Sequence, residues 1–96
     1  MFSTPAINVI SSDEGFWVEV LGHTKVRYVE DDVEIHFFME FTTGNSGLVI
    51  FSRQNKIVGP PNSPRIGQAL DDVERERVIE RIRSAFRFTG WEIDVL

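Results

Sequence analysis

Nine consecutive residues, Val33 to Phe41, read VEIHFFMEF. Val33, Ile35, Phe37, Met39 and Phe41 alternate with Glu34, His36, Phe38 and Glu40. A period of two belongs to a strand buried on one face, because successive side chains leave a strand on opposite sides. A helix turns about 100° per residue and would scatter the five apolar residues around its circumference. The stretch therefore predicts a long strand that anchors a small core, with Phe38 out of phase on the other face.

The chain around it reads as further short strands. Ala6 to Ile10 predicts a first strand, and Ser11 to Gly15 is a turn by composition. In Phe16 to Leu21, Phe16, Val18 and Val20 oppose Trp17, Glu19 and Leu21. Apolar residues on both sides predict an interior strand or one with a covered outer face. Gly22-His23-Thr24 turns the chain. Lys25 to Glu30 then sets Val26 and Tyr28 against Arg27 and Val29, and Asp31-Asp32 joins it to the long strand as a hairpin. Gly44-Asn45-Ser46-Gly47 is a turn, Leu48 to Phe51 a strand, Ser52 to Asn55 a turn and Lys56 to Val58 a brief edge strand. Pro60, Pro61 and Pro64 prevent a full ladder over residues 59–68, which read as an ordered loop.

One segment carries the helical period. Over Asp71 to Phe88, the residues Val78, Ile79, Ile82, Ala85 and Phe86 fall within roughly 120° of one another. Asp71 with Glu74 resembles a capping box, and Gly90 is the expected stop. Arg81, Arg83 and Arg87 lie where the helix dipole prefers cations. Trp91, Ile93 and Val95 alternate with Glu92 and Asp94 as a final short strand. The predicted fold is one α+β domain over residues 1–96: a mostly antiparallel sheet of five or six strands, with the helix of about 71–88 packed on one face.

The formal charge of −5 is uneven. Residues 1–48 hold eight acids and two bases; residues 49–96 hold seven acids and eight bases. An acidic front half repels phosphate backbones and anionic membranes, so nucleic acid and membrane are not the expected partners, and a basic protein is. No apolar stretch approaches the roughly twenty residues that span a bilayer. The first ten residues have neither a basic region nor a long apolar run, so no signal peptide is expected. The absence of cysteine fits a reducing compartment, and the expected location is cytoplasmic.

The stretch from residue 26 to 95 carries a resemblance. Ile57-Val58, Pro60-Pro61, Leu70-Asp71, Glu74-Arg75, Arg77-Val78-Ile79, Ile82 and Gly90 are its C-terminal marks. Tyr28-Val29-Glu30, Glu40 and the Gly47-Leu48-Val49-Ile50-Phe51 run are similar too. Together they resemble the immunity protein 74 family of bacterial polymorphic toxin systems. The resemblance implies a small protein that neutralises a cognate toxin by binding it. This chain departs from the family in having Val58-Gly59, where an aromatic and an acidic residue precede the proline pair. No individual functional residue is carried over.

Sites of chemistry are sparse. His36 between Glu34 and Glu40 could be imagined as a metal site, but a single local imidazole makes a solvated polar face the expected reading. Asp31 and Asp32 read as turn residues rather than a catalytic pair. The Gly44–Gly47 segment lacks the lysine and following helix of a phosphate loop. Neither a cofactor nor a catalytic residue is expected. The candidate partner-binding surface is the second sheet face, with Trp17, Glu34, His36, Phe38 and Glu40: large aromatics rimmed by acids. The expectation is a non-enzymatic binding protein, with a self-associating homodimer as the alternative use of the same face.

Overall fold

The computed structural model describes residues 1–22, 24–31, 33–41, 48–51 and 56–95. Eight strands and one helix follow in chain order: β1 (Phe2–Ala6), β2 (Val9–Ser12), β3 (Phe16–Leu21), β4 (Lys25–Glu30), β5 (Val33–Phe41), β6 (Leu48–Phe51), β7 (Ile57–Gly59), α1 (Asp72–Phe88) and β8 (Asp94–Val95). The sheet runs β1-β2-β3-β4-β5-β6-β8, and β7 pairs with β5. All pairings are antiparallel except β6 with β8. The turns read at Thr42–Gly47 and Ser52–Asn55, and the residues His23 and Asp32, lie outside the described residues.

The long strand behaves as its alternation requires. Val33, Ile35, Phe37 and Met39 are buried, and they join Val78, Ile79, Ile82, Ala85 and Phe86 of α1 in one hydrophobic cluster. Phe41 departs from the pattern and is 51% exposed. Its ring instead meets Trp91 edge-on, at 6.1 Å between centroids.

Two differences from the sequence reading concern the ends. The predicted strand Ala6–Ile10 is broken at Ile7-Asn8, where the chain turns between β1 and β2. Asn8 takes a positive φ of 65°, a region that asparagine tolerates better than most residues. The resulting hairpin, with the pairing of β7 and β8, makes the sheet eight-stranded rather than five- or six-stranded. At the other end only Asp94–Val95 pairs as a strand. Ile93 is buried there, while Trp91 lies largely outside the core.

The helix is held at both ends by its own sequence. Asp71 is the N-cap, and its Oδ1 accepts from the Glu74 backbone N–H at 2.8 Å. Glu74 turns its carboxylate to Arg65 Nη2, 2.7 Å away, which ties the proline loop to the first turn. At the far end Gly90 N–H donates to the Arg87 carbonyl at 3.0 Å and Trp91 N–H to the Phe86 carbonyl at 2.9 Å. That pair of bonds is a Schellman closure, and Gly90 supplies its left-handed residue at φ 91°.

Arg81 has a different part from the dipole role its position suggests. It lies before the last turn, where only Arg87 is found. Its Nη1 donates to Tyr28 Oη at 3.0 Å and to Glu30 Oε2 at 2.7 Å, and its guanidinium stacks 4.8 Å from the Phe16 ring centroid. Arg81 thus cross-links α1 to β3 and β4.

Candidate functional site

Because the helix covers one side of the sheet, everything out of phase with the core is displayed on the other. Strand register arranges that second face in rows, since opposed residues on antiparallel strands share a side. Ser11, Trp17, Val29 and Glu34 form the first row across β2 to β5. Val9, Glu19, Arg27 and His36 form the second. Leu21, Lys25, Phe38 and Phe51 form the third, and Glu40 with Val49 ends the face. At about 3.3 Å per residue and about 4.8 Å between strands, the face measures roughly 20 Å in each direction. That is the extent of a protein contact rather than a small-molecule pocket.

Arg27 stands at the centre. Its Nε donates to Glu34 Oε2 at 3.0 Å and its Nη1 to Glu19 Oε1 at 3.1 Å. Its guanidinium carbon lies 4.8 Å from the Trp17 ring centroid, in cation–π range. His36 Nε2 lies 2.8 Å from the same Glu34 Oε2. Hydrogen bonding from Arg27, with His36 adding to it, holds the Glu34 carboxyl below its ordinary range. Glu34 in turn raises the Arg27 guanidinium. Gly59 sits opposite Glu34 in the pairing of β7 with β5, and a Cβ there would come within 3.0 Å of Glu34 Oε1. The absent side chain is what lets the glutamate lie in that position.

The sequence candidates therefore divide. Trp17, Glu34 and His36 are brought together, all half-buried, with Arg27 joining Trp17 to Glu34 and Glu34 holding His36. Phe38 lies one row beyond His36 and is 60% exposed, with Lys25 Nζ 5.8 Å from its ring centroid. Glu40 is four residues further along β5 than His36, about 13 Å away, and does not share its contacts. The rim is not purely acidic, because Lys25 and Arg27 interleave with Glu19, Glu34 and Glu40. Arg27 and Glu19 were the residues sequence reasoning passed over. Alternation set Arg27 on the side opposite Val26 and Tyr28, but only the register shows that this side is the open face and brings Arg27 between two glutamates.

Elsewhere, Thr4, Ile7, Val20, Phe86 and Trp91 help line a concavity of about 410 Å³ between β1, β2 and the end of α1. None of its lining side chains is charged, so it offers room for an apolar group and no group for moving a proton. Among the described residues no cluster of three or more His, Asp or Glu is placed to hold a metal, and no helix is long and apolar enough to cross a membrane.

These features define an α+β domain with one helix on one sheet face and an open face of aromatic and paired charged residues on the other. Comparisons with protein families, with curated proteins and with solved structures each find no match.

Proposed function

We propose that this chain is a small, non-enzymatic, cytoplasmic binding protein that seats a basic protein partner on the open face of its sheet. The observation that carries the reading is Phe38, a large aromatic 60% exposed at the middle of a strand whose other side is the core. A ring left in water at so rigid a position is suited to fill a partner's pocket. The Trp17–Arg27–Glu34–His36 group beside it is already ordered, so little side-chain freedom would be lost on binding. The chain's charge of −5 favours a basic partner and speeds encounter with it. The resemblance to the immunity protein 74 family supplies the particular form of the proposal: the partner is a toxin domain, and binding neutralises it.

Self-association through the same face is the second reading, and it is favoured by the same exposed ring. Co-purification with the product of the adjacent reading frame tests the first, and sedimentation tests the second. Phe38→Ala is expected to weaken capture of the partner by about 2 kcal/mol or more, the size of an interface hot spot. If the face instead joins two copies, Phe38→Ala converts a dimer to monomer and leaves capture unchanged.

A further inference from the structure

The concavity between β1, β2 and the end of α1 is set apart by its lining. Two concavities along α1 carry charges: Arg77, Glu80 and Arg81 line one, and Arg75, Glu76 and Arg83 the other. The one of about 410 Å³ carries none, in a chain where 26% of residues are charged. A second, of about 170 Å³, shares Asn8, Val20, Phe86 and Trp91 with it, adds Met39 and Leu48, and is uncharged too. Ile10 and Phe86, both buried in the core, line the larger one, while Ile7 and Trp91 bring exposed side chains to it.

Its walls are fixed by bonds of their own. Val20 N–H donates to the Asn8 carbonyl at 2.9 Å, which holds the β1–β2 turn against β3. Trp91 N–H and Thr89 Oγ1 both donate to the Phe86 carbonyl, at 2.9 and 2.8 Å, which holds the chain that follows α1. The Thr4 hydroxyl, the Asn8 carboxamide and the Trp91 indole N–H make no hydrogen bond among the described residues. An apolar, preformed concavity within the roughly 300–1,000 Å³ of ligand sites, with a few neutral hydrogen-bonding groups on its wall, is built for a small molecule.

Charge selects the occupant. An ionised ligand would give up water there and meet no counter-charge, which is costly. A neutral one avoids that loss and covers apolar surface at Ile7 and Trp91. The rings of Phe86 and Trp91 favour a flat aromatic group packed offset or edge-on. We propose that this concavity binds an uncharged, ring-bearing small molecule, seated on Val20 and Phe86 and against Trp91. Phe38 is not among its lining residues, so the site does not depend on the partner-binding face.

Fluorescence titration of the full chain with N-phenylnaphthylamine tests this. The probe is neutral and brightens on leaving water, and anilinonaphthalene sulfonate has the same ring system with one negative charge. The expected result is saturable binding of the neutral probe, one per chain, and binding of the sulfonate about tenfold weaker or more. Val20→Phe fills the space, and Ile7→Asp sets a carboxylate at the mouth; each is expected to weaken the neutral probe about tenfold. Ile7 is exposed in a turn, so Ile7→Asp should melt as wild type does. Trp17→Phe leaves Trp91 as the only tryptophan, and its excitation should pass to the bound probe. Phe38→Ala should change nothing. Absence of saturable binding overturns the proposal. So does equal binding of the two probes, binding indifferent to Ile7→Asp, or binding without energy transfer from Trp91.

Discussion

Tyr28 is buried to its hydroxyl, and the hydroxyl is not left alone. It donates to Glu30 Oε1 at 2.9 Å and accepts from Arg81 Nη1 at 3.0 Å. Burial pushes the phenol up to about 12, against the opposing pull of Arg81. Because it is the one tyrosine in the chain, an ultraviolet titration reads it without overlap from another phenol. The folded protein is expected to ionise near pH 12, and the unfolded chain near the ordinary value of 10. The unfolded state thus loses this proton first as pH rises. The contribution of the group to stability is complete below pH 10 and declines between 10 and 12. A folded-state midpoint at 10 would contradict the burial of the Tyr28 hydroxyl. Parity along β4 put Tyr28 on the same side as Val26 from sequence alone, and the structure shows that side to be the core. The partners of its hydroxyl were not legible, because Arg81 is 53 residues away and only the docking of α1 brings it there.

The helix illustrates what periodicity can and cannot supply. All five residues of its predicted stripe are buried, and its N-cap and stop fall at Asp71 and Gly90 as read. Local signals of this kind act within a turn or two, so no tertiary knowledge is needed to read them. Ile82 is fully buried, and Ile82→Ala is expected to cost about 2–5 kcal/mol in a denaturant melt. Asp71→Ala removes one cap bond and should cost about 1 kcal/mol. An Ile82→Ala protein as stable as wild type would remove the helix from the core. The β1–β2 hairpin was less legible. Ile7 is apolar and continues the run from Ala6 to Ile10, yet it is 88% exposed at the turn. Nothing in hydropathy separates it from a strand residue, and the turn at Asn8 wins over the run. Phe41 and Trp91 are similar cases: both continue an alternating pattern beyond the end of the packed core, and they pack on each other instead.

For the protein as a whole, one side of the sheet builds the core, and the other is the face proposed for recognition. The division was legible in the alternation of β5, because a strand that buries every second residue must display the rest. What alternation could not provide was the order of strands, and hence the Glu19–Arg27–Glu34 grouping at the centre of the open face. Charge gives the encounter its expected character. Replacing Glu34 and Glu40 with Gln should slow association with a basic partner, an effect that fades as salt is raised. Glu34→Gln alone should also loosen Arg27 and His36, whereas Glu40→Gln alone should not, since Glu40 is outside that group. Stopped-flow association at two ionic strengths separates the two contributions. Equal slowing by both single variants would mean that the Arg27 network has no part in recognition.

The claim on which the account turns is that Phe38 belongs to a recognition surface and not to the fold. Its most direct test is a paired measurement on wild type and Phe38→Ala: the thermal melt, and capture of the adjacent gene's product at matched concentrations. The expected result is an unchanged melt with capture weakened by about 2 kcal/mol or more, some thirtyfold in affinity. Equal capture by two equally stable proteins would contradict it.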